Sequence, residues 1–569
     1  MGGLLGLVLV GVGAVGLGLY SSRRYWLARH LRLVPAQYAV GVERNLPMPM
    51  PDGTVLSGDH YFPKTAEALP TILIRSPWGN GWRAAPFSLL YSFVAHRFAE
   101  RGYHVLLQSS AQRADREITL LPQDEAANGQ ATLSWIAEQP WFNGSLGMWG
   151  ASIVGYLQWT VAVQAPPYLK AIVPCTTTSN WYGFFYQDRA VALDNVLRAL
   201  HVIHAFTQPI WKVFGSMQRQ DQIVAAAAQT LPLAEADVVL AGKPVPSYRD
   251  LLHHPDADDP YWDATNLRRN LHQVSAATEI IAGWHDLFLR ESLADYAALR
   301  DSGHKPHLVV GPWHHLDQEL GPASMREAIA WFDAHLKGHI DRIPEKPVHI
   351  YVMGTNVWHQ LSEWPPTARD THYYLQGRGA LGPHLADIDS APDHYHYDPA
   401  DPTPVVGGPM MHARAGQQDN HSLEARPDVL VYTSAPLTAD VEVIGTPRMA
   451  LYVRSSTSYT DFVGRLCDVA PDGRSLHVCD GLIRVQPGVG TPQADGSLLV
   501  SIELWPTAYQ FKRGHAIRLQ IASGGHPRWS RNLGTGEAAG TATNSVVAEQ
   551  TIYHDATHPS ALILPDVSC

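Results

Sequence analysis

Cysteine is scarce in this chain. Of 569 residues only four are cysteine (Cys175, Cys467, Cys479 and Cys569), and no two of them form a C-x-x-C pair. That scatter argues against a zinc ribbon or a disulfide framework. Cys467 and Cys479 flank a Pro471-Asp472-Gly473 turn and are expected as two half-buried thiols on a hairpin. Charge is also sparse, at 17 % of residues, and 42 Lys and Arg against 53 Asp and Glu leave a formal net charge of −11. No lysine- or arginine-rich run offsets this, which argues against a nucleic-acid surface. No internal repeat is present. What the chain does have is 45 % hydrophobic residues, the balance of an ordinary globular protein. Its length exceeds what one core accommodates, so two or three domains are expected.

The N-terminus is unusual. Residues 2–20 are apolar, uncharged and contain seven glycines, and Tyr20, Tyr25 and Trp26 follow. The run has the length of a bilayer span with aromatics at its interface. No basic region precedes it and no clear cleavage pattern follows, so a signal peptide fits poorly. The expectation is a single membrane anchor with its basic flank over residues 1–35. Arg23, Arg24, Arg29 and Arg32 follow the segment, which orients the catalytic part toward the cytoplasm.

From 36 to 178 short apolar runs alternate with helical patterns. Strands are expected at Thr71–Ile74, His104–Gln108, Ser145–Gly150 and Lys170–Pro174, with helices between them. This spacing implies a parallel sheet covered on both faces. Residues 179–261 break the pattern with aromatics (Trp181, Tyr182, Phe184, Phe185, Tyr186), helical periodicity and no convincing strand; they read as a helical cap. Alternation resumes over 262–368, with strands at Thr278–Ala282 and His307–Val310. There Ser324 and Glu327 form a capping-box pattern ahead of a helix that stops at Gly338. From 369 to 569 short strand candidates (Val429–Tyr432, Met449–Val453, Phe462–Val469, Ser475–Cys479, Ala516–Ile521) are separated by Pro, Gly and Asp. Such a series suggests a β-sandwich. In the last strand Ile517, Leu519 and Ile521 face one way, Arg518 and Gln520 the other.

The motif that carries chemistry is Gly147-Met-Trp-Gly150-Ala-Ser152-Ile-Val-Gly155. A serine on a sharp strand-to-helix turn exposes its Oγ above a sheet, and the helix start offers N–H groups to a developing oxyanion. Taken alone, G-x-S-x-x-G is also an ordinary helix start with serine as N-cap. A serine nucleophile needs a base, and the base needs an orienting carboxylate. Gly283-Trp284-His285-Asp286 ends one expected strand and Gly311-Pro312-Trp313-His314-His315 the next. One βαβ crossover between them puts both at the carboxyl edge of the sheet, beside Ser152. The order Ser, Asp, His is that of α/β-hydrolases. Histidine pairs at His314-His315 and at His394-Tyr-His396 offer two ligands each without a completing carboxylate, so no metal and no cofactor is assigned.

These segments resemble the cocaine esterase / X-prolyl dipeptidyl-peptidase family of serine hydrolases, which includes α-amino acid ester hydrolases. The nucleophile segment matches over Gly144–Trp159, with Gln158-Trp159. The family's G-W-x-D and G-P-W-x-H match Gly283–Asp286 and Gly311–His315, which makes His315 the base rather than His314. Pro51-Asp52-Gly53, Tyr397-Asp398-Pro399, Gly407-Gly408, Arg465–Asp468 and Gly514-His515 match elsewhere, over about 46–535. The resemblance implies an α/β-hydrolase with a C-terminal jelly roll, and an oxyanion hole built from a tyrosine after an R-x-P strand end and the N–H following the serine. Here those positions hold Trp78, in Arg75-Ser76-Pro77-Trp78, and Ile153. A second departure is Gln108-Ser-Ser-Ala-Gln112, where the family reads Q-D-x-R-G and carries a charged pair. The expected activity is hydrolysis of a small-molecule ester or peptide-like substrate through an acyl-enzyme on Ser152. An X-prolyl dipeptidyl aminopeptidase and a catalytically silent, membrane-tethered binding protein are the alternatives. Aromatics in 179–261 suggest an apolar or aromatic acyl group.

Overall fold

The computed structural model describes residues 28–78, 85–110, 120, 125–208 and 210–568. A ten-stranded sheet is built from β1 (Val40–Pro49), β2 (Val55–Pro63), β3 (Thr71–Ser76), β4 (His104–Ser109), β5 (Leu146–Ala151), β6 (Leu169–Cys175), β7 (Ala277–His285), β8 (His307–His314), β9 (Val348–Val352) and β10 (Val357–Leu361). Their spatial order is β1-β2-β4-β3-β5-β6-β7-β8-β9-β10. The run from β4 to β9 is parallel. The pairs β1–β2, β2–β4 and β9–β10 are antiparallel and finish the edges.

Central strands of a parallel sheet are covered on both sides, so they carry apolar residues at consecutive positions rather than alternately. β3 and β4 are buried at every residue. On one face lie α1 (Ala85–Ala99) and, later in the chain, the helix over Leu320–Lys337, through Val94, Phe98, Ile329 and Phe332. On the other lie α2 (Glu125–Ala137), α3 (Ile153–Ala162) and the helix over Leu289–Asp301, through Leu133, Trp159 and Leu293. The Ser324–Glu327 pattern does not open its helix, which starts at Leu320. Ser324 lies a turn inside, and its hydroxyl donates to the Gly321 carbonyl at 2.9 Å. This back-bond competes with the capping role.

Between β6 and β7 the chain leaves the sheet. α4 (Leu193–Thr207) and helices over Ile210–Gln218, Gln220–Ala228, Ala236–Ala241 and Pro246–Leu251 make a helical insert. Phe184, Phe185, Leu197, Tyr248 and Trp262 give it a core of its own. A two-residue ladder, Tyr186–Gln187 with Ala190–Val191, adds strand where none was expected.

The C-terminal part is a fourteen-stranded β-sandwich of jelly-roll type. Four of the five expected strands lie within Arg448–Ser455, Thr460–Val469, Ser475–Val485 and Ala516–Ala522, and the fifth, Val429–Tyr432, starts one residue ahead of the observed Leu430–Ser434. Alternation misleads at one residue: Gln520 is as buried as Ile521, because it faces a second, polar interior. Cys467 pairs in register with His477, and Leu466 with Cys479, so the two thiols do not face each other. Both are fully buried rather than half-buried, and both are free. Cys569 lies outside the described residues.

The expectation of a membrane anchor with a cytoplasmic catalytic part is corrected. No helix among the described residues is long and apolar enough to cross a membrane. Residues 2–20, on which the expectation rested, lie outside the described residues. The described end of the basic flank docks on the α/β part instead. Leu33 is buried there, Arg326 donates to the Leu31 carbonyl at 3.1 Å, and Arg101 donates to that of Val34 at 2.6 Å.

Candidate active site

β5 delivers Ser152 onto the turn before α3. Its φ of 57° and ψ of −130° lie outside the regions a non-glycine residue ordinarily adopts. Such a conformation persists only where surroundings over-determine it, and here they do. The Ser152 N–H donates to the Cys175 carbonyl at 3.0 Å. Its own carbonyl accepts from the Tyr156 N–H at 3.0 Å and from the Thr177 hydroxyl at 2.6 Å. The flanking glycines are steric requirements. A Cβ on Gly150 would strike Val154, and one on Gly155 would come within 2.7 Å of Thr177. That contact is what requires glycine at 155. Gln158 then locks the turn from below: its amide donates to the Gly150 and Val173 carbonyls at 3.2 and 3.0 Å, and its oxygen accepts from the Val173 N–H at 3.0 Å.

The neighbouring strands supply a histidine and a carboxylate. β7 and β8 pair Gly283 with Gly311 and His285 with His314, so β8 holds one extra residue. This bulge turns the chain at its end, and bulges commonly re-aim a side chain beside a functional site. His315 follows. Its Nδ1 lies 2.7 Å from Asp286 Oδ2 and its Nε2 lies 3.1 Å from Ser152 Oγ. With the proton on Nδ1, the imidazole donates to Asp286 and accepts from the serine hydroxyl. Asp286 is wholly buried, and its other oxygen accepts from the Phe288 N–H at 2.8 Å. Both carboxylate oxygens are thus held, which fixes the imidazole's tautomer and tilt. His314 points elsewhere: its Nδ1 accepts from the Leu316 N–H at 3.3 Å.

The structure therefore brings Ser152, Asp286 and His315 together. Ile153 begins α3, where the first N–H groups of a helix have no partner within it. Trp78 stands two residues beyond β3. Its indole stacks on Phe87 at 4.9 Å and meets Phe206 of α4 at 5.4 Å. Among the described residues, no hydrogen bond joins Trp78 to the other three. The charged pair missing at Gln108–Gln112 is supplied differently: Arg75 is buried against Glu125 at 2.9 Å and against Gln108 at 2.9 Å.

Several residues of the site carried no sequence signal. Thr177 comes from the loop after β6. Phe288, whose ring centroid is 5.6 Å from that of His315, follows Asp286.

An activated serine at a strand–helix turn, with a carboxylate-held histidine at hydrogen-bond distance on an α/β-hydrolase sheet, defines a class: a serine hydrolase that cleaves ester or amide bonds. The chain belongs to the X-Pro dipeptidyl-peptidase (S15) family, whose model matches residues 52–317, and the C-terminal non-catalytic domain of X-Pro dipeptidyl-peptidases matches 342–563. It is 33 % identical to the cocaine esterase of Rhodococcus sp. (strain MB1 Bresler), over 94 % of this chain and 99 % of that protein. Two solved structures share the fold. An aminopeptidase of a Thaumarchaeota archaeon from marine sediment aligns with a TM-score of 0.76 at 22 % identity, covering 93 % of this chain and 97 % of that one. An α-amino acid ester hydrolase aligns with a TM-score of 0.75 at 22 % identity, covering 93 % and 96 %.

Proposed function

We propose that the chain is an esterase that works through an acyl-enzyme on Ser152. The observation that carries this is the Asp286–His315–Ser152 relay, with contacts of 2.7 and 3.1 Å around a serine held at φ 57°. Ser152 Oγ attacks the substrate carbonyl while His315 Nε2 takes its proton. The negative oxygen of the tetrahedral intermediate is stabilised by the Ile153 N–H at the start of α3 and by the Trp78 indole N–H, which stands where the family's tyrosine hydroxyl would. His315 returns the proton to the leaving alkoxide. Water, activated by the same nitrogen, then cleaves the acyl-enzyme. Asp286 holds the imidazole and stabilises its protonated form without taking the proton.

Ester preference is supported by similarity to a cocaine esterase and by the residues after Asp286. Leu287, Phe288 and Leu289 are apolar and buried, whereas cleavage after X-Pro calls for an anionic group near the substrate amine. The helical insert is the cap of this site. Its α4 reaches Trp78 through Phe206, and the three rings Trp78, Phe87 and Phe206 suit an apolar or aromatic acyl group. The test is a panel of p-nitrophenyl esters, amino-acid esters and Xaa-Pro anilides, with a fluorophosphonate probe to locate the nucleophile by mass spectrometry. Label on Ser152 and a preference for aryl or alkyl esters are expected. Absence of label, or a preference for Xaa-Pro anilides, would refute the esterase reading.

A further inference from the structure

Behind the triad the sandwich carries a buried polar cluster that hydrolysis does not use. Arg465 and Asp480 face each other across the Thr460–Val469 and Ser475–Val485 ladder. Arg528 donates to Asp480 Oδ1, and its guanidinium lies over Trp505 at 4.9 Å and Trp529 at 4.3 Å. His477 Nε2 is 3.4 Å from Asp480 Oδ2. Arg465 is 1 % exposed, Arg528 3 %, and His477 and Asp480 0 %. A glycine-necked loop links the cluster to the active site. Gly408 and Gly416 hydrogen-bond each other in both directions, at 2.9 and 3.0 Å. A Cβ on Gly408 would lie 3.1 Å from Arg528 Nη1, and one on Gly416 3.5 Å from the ring of His285, the residue before Asp286.

The charges in this cluster do not balance. Guanidinium groups stay protonated in proteins, so Arg465 and Arg528 bring two cations. One carboxylate faces them, Asp480; burial opposes its ionisation, but Arg528, His477 and Arg465 together hold it below the usual range. His477 and His285 are kept neutral chiefly by burial, His285 with a value lowered to about 3. Burial likewise raises the Cys467 and Cys479 thiols, so neither is an anion. Glu424 is engaged by Arg518 and Gln520; further out, Arg290 has Glu503 at 3.7 Å and also acts on the Asp188 carboxylate, whose ionisation burial opposes. Within the four buried residues Arg465, Arg528, His477 and Asp480 one positive charge is left over. Donors are in surplus as well. Arg465 Nη1 donates to Gln520 Oε1 at 2.9 Å, but Nε and Nη2 of Arg465, Nε and Nη2 of Arg528, and Trp505 Nε1 meet no acceptor among the described residues; Asp480 Oδ2 and the two ring nitrogens of His477 are unmatched beside them, fewer acceptors than donors. A buried cation with unmatched N–H groups strongly destabilises a fold unless an anion answers it.

We propose that Arg465 and Arg528 bind a small monovalent inorganic anion, of chloride or bromide size, between the sandwich and the carboxyl end of β7. The anion cancels the surplus charge and accepts N–H groups that the protein leaves unmatched. Burial on all sides limits its size, so an organic anion such as gluconate does not enter. Through the Gly408–Gly416 neck it also steadies the wall behind His285.

The full-length protein, exchanged into sodium gluconate, is titrated with sodium chloride or bromide at constant ionic strength while Tm is followed. A saturable rise with both halides is expected, and crystals grown in bromide should give an anomalous peak between the two guanidinium groups. Arg465→Gln removes the surplus charge, so its Tm should lose the halide response. Equal wild-type Tm in gluconate and in chloride means that ordered water satisfies these donors, and it overturns the proposal. So does a bromide peak elsewhere, or an Arg465→Gln protein that responds to halide like wild type. If that variant does not fold, the wild-type titration and the bromide map still decide.

Discussion

The two edges of the parallel sheet hold two histidine arrangements that differ in their partners. At the carboxyl edge, His315 has a carboxylate on one ring nitrogen and a serine hydroxyl on the other. At the amino edge, His104 opens β4 and bonds His60 of β2, Nδ1 to Nε2, at 3.0 Å. Trp141 stacks on both rings, at 4.2 and 5.2 Å. A carboxylate beside an imidazole favours its protonated form. A second imidazole shares one proton and gains nothing from another. Burial therefore lowers the pKa of His104, to about 4, with help from His60, and lowers that of His60 against the pull of Glu43. The same side chain is placed to take a serine's proton in one setting and is a neutral hydrogen-bonding wedge in the other.

The sharpest way to break this comparison is to strip the carboxyl edge. Ser152→Ala and His315→Ala should each lower kcat for an activated ester by about 10⁴-fold or more, with a wild-type circular dichroism spectrum. His314→Ala should cost less than about tenfold, since its Nδ1 serves only the Leu316 N–H. Equal losses at 314 and 315 would move the base. Asp286→Asn, which keeps shape but lets the imidazole take the wrong tautomer, should cost about 10⁴-fold in kcat. An Asn variant within tenfold of wild type would mean that the Phe288 N–H and packing, not the carboxylate, orient His315. Next in size is Trp78. Trp78→Phe keeps the stack on Phe87 and Phe206 but removes the N–H, and a lost oxyanion donor costs about 100- to 1000-fold. The loss should fall on kcat, because the bond strengthens as charge develops. Trp78→Tyr should recover part of it. Phe and Tyr variants that both match wild-type kcat would make Trp78 a pocket wall only.

What was legible in the sequence is what local pattern encodes. β4 and β5 were read to within a residue or two because parallel strands carry continuous apolar runs that end at polar or small residues. Ser152, Asp286 and His315 stood out because each follows such a run. Contacts made through space left no such trace. Thr177, which holds the Ser152 carbonyl, is a threonine in a loop. Gln158 is a polar residue in an apolar helix, and its purpose shows only when Val173 comes alongside. Gln520 alternates like an outward residue, yet Arg465 and Glu424 make its side of the strand an interior too. Ser324 carries an N-cap's sequence but sits inside a helix that packing extends to Leu320.

The amino edge gives the smallest effect and the one that completes the comparison. His104 has a folded pKa of about 4 and an unfolded value of about 6.5. A depressed folded value means that the unfolded chain binds the proton first as pH falls. The stability from His104 is therefore fully present above about pH 6.5 and is lost progressively toward pH 4, by about 3 kcal/mol in all. His104→Asn keeps a donor and an acceptor for His60 but does not titrate. It should cost about 1 kcal/mol at pH 7.5 through a weaker hydrogen bond and stack. Between pH 7.5 and 5 its Tm should then fall less than the wild-type Tm. Carboxylates and histidines away from this pair contribute equally to both proteins and cancel in the difference; Glu43, 3.3 Å from His60, is present in both. Ester turnover at pH 7.5 should be unchanged, since the pair lies at the opposite edge from Ser152. Parallel Tm curves for the two proteins would show that the His60–His104 pair does not gate acid stability, and that partner type alone does not separate the two edges.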